Sequence, residues 1–231
     1  LDPASDLDSL QGYYVQVAAS AIDDLTGNSY AGISDTTTLS FTAADVAAPT
    51  LASSSPADDA TGVAVNSNIV LTFNETVQAG TGNITLFKSD NTSVEAFDVT
   101  TDVTVSGATV TLNPAAPLDS LQGYYVQVAS TAVEDTSNNA YAGISDTTTL
   151  SFTAADIVAP TLASSSPVDD ATGLAPSSNL TLTFDETVQA GTGNITLFKS
   201  DNTSVEVFDV TTDVTISGAT VTLNPASDLD S

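Results

Sequence analysis

Cysteine, methionine, tryptophan and histidine are all absent from this chain of 231 residues, and its only basic side chains are Lys88 and Lys199. Without His or Cys there can be no Ser-His or Cys-His nucleophile pair and no zinc centre built on those ligands. Disulfides are ruled out as a source of stability, even in a compartment that would permit them, though a core of ~100 residues can manage without them. The 29 acidic side chains leave a formal charge of −27. Such a surface repels nucleic acid and anionic membranes, so the plausible partners are cations, further copies of the same chain, and neutral or basic surfaces. No apolar run approaches the ~20 residues of a membrane span, so membrane insertion is not expected, and no stretch reads as a signal peptide. The remaining chemistry is carboxylate chemistry. Asp58-Asp59 and Glu134-Asp135 are adjacent pairs, and neighbours on an extended chain point to opposite sides rather than facing each other as acid and base. An enzyme is therefore not expected.

The dominant positive feature is self-similarity. Leu-Asp-Ser-Leu-Gln-Gly-Tyr-Tyr-Val-Gln-Val-Ala begins at Leu7 and again at Leu118, and Ala-Pro-Thr-Leu-Ala-Ser-Ser-Ser-Pro begins at Ala48 and again at Ala159. Both offsets are 111 residues, a whole domain rather than the roughly 20 to 50 residues of a solenoid repeat. On this period residues 1–45 are the later part of a module, 46–156 a complete module, and 157–231 the earlier part of another. The segments 1–9 and 223–231 share one register. The chain is expected to be a window on a longer array, each partial module being completed by an adjacent stretch of polymer, in the same chain or another subunit.

Within a module apolar residues alternate with Thr and Ser at period two, the mark of half-buried strands, and never hold helical spacing for long. The pattern predicts strands at Thr50–Ser54, Ile69–Phe73, Ile84–Phe87, Val94–Val99, Val103–Val105, Ala108–Leu112, Tyr124–Ala129 and Thr147–Phe152, with Leu180–Phe184 the later copy of Ile69–Phe73. Stretches such as Pro56–Gly62 and Gln78–Asn83 read as turns. Seven or eight short strands in ~100 residues make an all-β immunoglobulin-like sandwich, here in tandem. Substitutions between copies agree: Ile69, Val63 and Val105 become Leu180, Leu174 and Ile216, apolar exchanges of similar volume that a core tolerates. Gly27 is replaced by Asn138. These two residue types reach the left-handed region most readily, so a positive φ is expected there. Tyr124 or Tyr125 is a candidate tyrosine corner, with an ordinary cross-strand aromatic as the alternative.

The runs Ala48–Val63, Asn68–Val77 and Gly82–Leu86, together with the Asp24-Leu-Thr-Gly-Asn28 turn and its copy Asp135-Thr-Ser-Asn-Asn139, resemble the bacterial immunoglobulin-like repeats of giant surface proteins: adhesins, surface-layer proteins and swimming-associated proteins. Asn138 departs from the usual Gly of that turn. The resemblance implies a secreted or extracellular, cell-surface protein in which the module is a spacer or filament-forming unit serving adhesion or assembly. Carbohydrate binding is the alternative, with glycans as ligand. It usually requires exposed aromatic platforms, and with no Trp and with Tyr and Phe mostly in strand patterns these are scarce.

Calcium is the expected cofactor. In a sandwich of this topology the entering chain, the loop after the second strand and the loop between the last two strands share one pole. Asp45 lies in the entering linker, Glu75 follows the strand ending at Phe73, and Asp135 and Asn139 lie in the last loop. Calcium takes six to eight oxygens from such groups, and the turn around Asp6 and Asp8 could add more. Asp156 and Glu186 are the equivalents at the next joint, and Asp24 and Asn28 are the earlier copies of Asp135 and Asn139. A solvated acidic surface without bound cation is the competing reading. A Lys-to-Asn or Lys-to-Asp cross-link, found in some surface repeats, would involve Lys88, but its place before the polar turn Ser89-Asp90-Asn91 favours an exposed charge. Intact mass is expected to equal that of the unmodified chain, and a deficit of one ammonia or one water would reveal the cross-link.

Overall fold

The computed structural model describes Pro3 and residues 5–227. The ends of the shared segments 1–9 and 223–231 therefore lie partly outside the described residues. Among the described residues every regular element is a strand. The chain divides into two compact units, one ending at Ile157 and one beginning at Val158.

The first unit starts with β1 (Gly12–Tyr14) and β2 (Ser40–Thr42), paired antiparallel. It continues with β3 (Leu51–Ser55), β4 (Ala60–Val63), β5 (Ile69–Phe73), β6 (Val77–Ala79), β7 (Asn83–Lys88), β8 (Ser93–Asp98), β9 (Val103–Ser106), β10 (Thr109–Leu112), β11 (Gly123–Val128), β12 (Val133–Asp135) and β13 (Ser151–Ala154). Two sheets result, one ordered β3-β5-β10-β9 and the other β4-β13-β11-β7-β8, with β6 and β12 as a separate two-stranded ladder. Only β4 and β13 run parallel. The period-two pattern explains the packing. In β5, Ile69, Leu71 and Phe73 are buried while Val70 and Thr72 are half-buried, and in β10 Val110 and Leu112 point inward while Thr109 and Thr111 do not. These inward faces meet Ile84, Leu86, Tyr124, Val126, Val128 and Phe152 of the opposite sheet in one continuous core, as two packed antiparallel sheets require.

The structure departs from the sequence pattern in three places. The predicted strand Thr147–Phe152 is displaced to Ser151–Ala154. The Asp146 carboxylate accepts hydrogen bonds from the Thr148 and Thr149 amides at 2.8 and 2.7 Å and curls that stretch into a turn, an alternative that Asp offers the backbone. Part of the Pro56–Gly62 stretch, read as a turn, is the edge strand β4, and the turn composition had concealed it. The short ladder β6–β12 carries too few residues to show a period.

Expected local geometry is present at two points. Gly27 and Asn138 have φ of 88° and 68°. The corner tyrosine is Tyr124, whose hydroxyl accepts the Asp119 amide at 2.7 Å, with Tyr13 doing the same for Asp8 at 2.8 Å. Tyr125 instead stacks on Phe87 with centroids 5.1 Å apart.

The second unit contains β14 (Leu162–Ser166), β15 (Leu180–Phe184), β16 (Asn194–Phe198), β17 (Ser204–Asp209), β18 (Val214–Ser217) and β19 (Thr220–Leu223). These repeat β3, β5, β7, β8, β9 and β10. One sheet, β14-β15-β19-β18, is formed, and β16–β17 stands as a hairpin. Among its described residues only Phe208, Val221 and Leu223 are buried, while Leu180, Leu182, Phe184, Ile195 and Leu197 are half-buried. Because Leu86 is wholly buried, Leu86→Ala is expected to cost about 2–5 kcal/mol in urea unfolding followed by circular dichroism, whereas the equivalent Leu197→Ala is expected to cost less than half as much.

Candidate metal centre

Asp135 ends β12, and β12 pairs with β6 so that Asp135 stands opposite Val77. That pairing sets it beside Glu75, which lies two residues before β6. Asp135 is the one buried charged side chain among the described residues, at 1 % exposure. A local clasp makes this tolerable. Its carboxylate accepts the Ser137 and Asn139 amides, each at 2.8 Å, and the Asn139 side-chain amide at 2.7 Å. Asn138 adopts its positive φ to close the turn, and Gln78 donates to the Asn138 side chain at 3.0 Å.

The linker joins through the same clasp. Asn139 Nδ2 also donates to the Asp45 carbonyl at 3.2 Å, while the Ser9 hydroxyl donates to the Asp45 carboxylate at 2.8 Å and accepts the Val46 amide at 3.1 Å. Oxygens of Asp45, Glu75 and Asp135 all lie within 4.8 Å of one another. Two oxygens each 2.3–2.6 Å from a calcium ion can be at most about 4.6–5.2 Å apart, so this spacing suits one shared cation. Each carboxylate oxygen has two lone pairs, so the hydrogen bonds to Asp135 leave capacity for a metal. Asn139, expected as a ligand, turns its amide nitrogen to Asp135 and Asp45 and so holds two of the acids in place, and its side-chain oxygen is the atom that a calcium ion would take.

Electrostatics reflect this crowding. Desolvation, then the charges of Asp135 and Asp45, push the Glu75 carboxyl above its ordinary value. Burial pushes Asp135 up as well, but the hydrogen bonds from Asn139 and Ser137 outweigh it and hold that carboxyl below the usual range.

The other candidates are placed differently. Asp24 and Asn28 form the same clasp, with Asn28 donating to Asp24 at 2.8 Å from both its amide and its side chain. That turn is fully exposed and belongs to no group of three acids among the described residues. Asp156 accepts the Ser120 hydroxyl at 3.0 Å, as Asp45 does from Ser9, and Glu186 lies in the second unit. Asp6 and Asp8 are not among the three acids that converge, and Ser9 of that turn bonds Asp45. Sequence reasoning missed Ser9 and also Asn74, whose side chain accepts the Thr50 amide at 2.7 Å and registers the linker against the sandwich. Its copy Asp185 binds Thr161 likewise, and an Asn-to-Asp exchange that preserves the acceptor was the available signal. Lys88 pairs with Asp119 at 2.7 Å on the surface. Its hydrogen bond to Asp119 raises its pKa, which keeps the amine protonated and poorly suited to forming an amide.

Comparison with known proteins now bears on what this arrangement belongs to. The sequence profile of the bacterial Ig-like domain matches residues 45–154 and again 156–231. The chain belongs to that family. Comparison with curated proteins finds no match. Bacterial Ig-like domains typically occur in surface proteins and are in general not catalytic, and among the described residues of this one no helix is long and apolar enough to cross a membrane.

Without divalent cation, the fold disfavours ionisation of Glu75, whose carboxyl is pushed up by desolvation and by the charges of Asp135 and Asp45. As pH falls through its raised pKa, its protonation adds stability. Asp135 acts in the opposite sense, and its contribution is lost only when pH falls through its depressed value. Thermal melts in chelator are expected to show stability rising on mild acidification and collapsing at lower pH. Glu75→Gln is expected to raise the neutral-pH melting temperature in chelator and to abolish the initial rise.

Proposed function

We propose that this bacterial Ig-like chain is a structural repeat of an extracellular surface protein, an extender serving adhesion or cell-surface assembly, whose joints are stiffened by calcium. The observation that carries the reading is the convergence of Asp45, from the linker, with Glu75 and Asp135, from the sandwich. A cation held there ties the linker to the body of the module. Without one, three carboxylates repel across the same gap, since like charges at such separations disfavour joint ionisation. Backbone carbonyls and water can complete the six to eight ligands that calcium takes. A role in spacing also accords with the absence of His and Cys and with aromatic rings that pack inside the module: Tyr124 on Phe152, and Phe73 edge-on to Tyr141. Rings used in this way are not available as sugar platforms.

A ligand at 100 times its dissociation constant stabilises by about 2.7 kcal/mol, which for a unit of about 150 residues raises the melting temperature by roughly 5–10 °C. Calcium is expected to produce such a rise, and small-angle scattering is expected to show a larger, better defined maximum dimension than in chelator. Both effects are expected to vanish in the double variant Glu75→Gln, Asp135→Asn. Equal dimensions and equal melting temperatures for the unaltered chain with and without calcium would exclude the stiffening role.

A further inference from the structure

The linker 45–50 lies between β2 and β3 and is irregular throughout. A short stretch of this kind is a flexible tether unless its backbone groups find partners. Here they do. The Val46 amide donates to the Ser9 hydroxyl and the Ala47 amide to the Asp45 carboxylate, each at 3.1 Å. The Asp45 carbonyl accepts the Asn139 side-chain amide at 3.2 Å. Asn74 holds Thr50 twice: its side-chain oxygen accepts the Thr50 amide at 2.7 Å, and its own amide donates to the Thr50 carbonyl at 3.0 Å. Between these points Pro49, whose ring fixes φ, is buried.

These bonds come from both sides of the joint. Ser9 stands in the turn before β1, which the Tyr13 hydroxyl pins by accepting the Asp8 amide, whereas Asn74 and Asn139 belong to the sandwich that follows. Asp45 is the residue that both sides hold, its carboxylate by Ser9 at 2.8 Å and its carbonyl by Asn139. A hydroxyl has one donor and two acceptor lone pairs, so Ser9 serves Asp45 and Val46 at once, and an alanine there could serve neither. The same brackets recur one period later. Ser120, beside the Asp119 amide that Tyr124 pins, donates to Asp156 and accepts the Ile157 amide, both at 3.0 Å. Asp185, the copy of Asn74, accepts the Thr161 amide at 2.7 Å.

We infer that the linker 45–50 is a latch, held through side-chain hydrogen bonds by Ser9 of the repeat it leaves and by Asn74 and Asn139 of the repeat it enters, with Asp45 shared between them and no cation required. Ser9 and Ser120 are accordingly positioning residues, each for the linker that leaves its own repeat. A joint held in this way passes the orientation of one repeat on to the next, where an unbonded linker of the same length would swivel. The latch also keeps Asp45 beside Glu75 and Asp135 against the mutual repulsion of the three carboxylates. A cation among those acids would add to the latch and forms no part of it.

Amide hydrogen exchange followed by NMR in chelator tests this residue by residue. The Val46, Ala47 and Thr50 amides are expected to exchange at least ~10-fold more slowly than in an unstructured peptide of the same sequence. Ser9→Ala is expected to release Val46 and Ala47 while Ile157 stays protected, Ser120→Ala to release Ile157 while Val46 stays protected, and Ser9→Thr, which keeps the hydroxyl, to retain the protection of Val46. In Ser9→Ala the Asn139 side-chain amide resonances are expected to move, and those of Asn28, which bonds Asp24 and Thr26, to stay. The Leu71 amide, within the sheet, reports whether each variant is folded. Linker amides that exchange at the unstructured rate in chelator, or a Val46 amide unchanged in folded Ser9→Ala, would overturn the latch. Should Ser9→Ala lose protection at Leu71, Asn74→Ala decides: release of Thr50 upholds the latch and an unchanged Thr50 overturns it. Protection that appears only on adding calcium would overturn the latch and leave the calcium reading standing, whereas protection in chelator that calcium does not alter would do the reverse.

Discussion

The pairing of β11 with β7 is the contact on which the complete sandwich depends. It joins segments some forty residues apart in sequence, closes the five-stranded sheet, and puts Val126, Val128 and Tyr124 onto Ile69, Leu71 and Leu112 of the other sheet. Where that pairing is absent from the described residues, at β16, the local structure survives: the hairpin forms, and the sheet β14-β15-β19-β18 keeps its register. Burial of the core does not. Hairpins and neighbouring strands are thus locally encoded, while dryness of the interior requires strands from far along the chain.

Asp135 is the second point of tension. Burying a carboxylate is costly unless it is hydrogen-bonded, and here the cost is met by a turn of five residues that supplies two backbone amides and one side-chain amide. The identical clasp at Asp24 and Asn28, formed on an exposed loop, shows that the turn is self-sufficient. Burial, the approach of Glu75 and the capture of Asp45 are added by the β6–β12 ladder and the linker. The clasp is local equipment, and the cluster is a tertiary product.

Much of the acidity that looked at first like a solvated or cation-binding surface has a further use. Asp35, Asp90, Asp98, Asp146, Asp201 and Asp209 each accept the amide of the residue two positions on, and hydrogen bonds from neighbouring threonine hydroxyls together with these amides lower their carboxyl pKa values. These are turn-forming side chains. With so many short strands to connect, a protein of this type needs many such turns, and a strongly negative charge follows.

The sequence by itself determined what depends on neighbours along the chain. The period of 111 residues, the all-β class, the inward positions of β5, β7 and β10, and the positive φ at Gly27 and Asn138 were all legible, because alternation and turn chemistry act over a few residues. It also placed Asp45, Glu75 and Asp135 near one pole, by reasoning from the order of strands. Tertiary structure decided what depends on residues distant in sequence. The edge strand β4 emerged from a stretch of turn residues only because β13 lies alongside it, and Ser9 reached Asp45 across 36 residues of sequence. The Asn139 amide nitrogen reaches the Asp45 carbonyl as well as Asp135, and the first of these, 94 residues away in sequence, is an acceptor that no local pattern records.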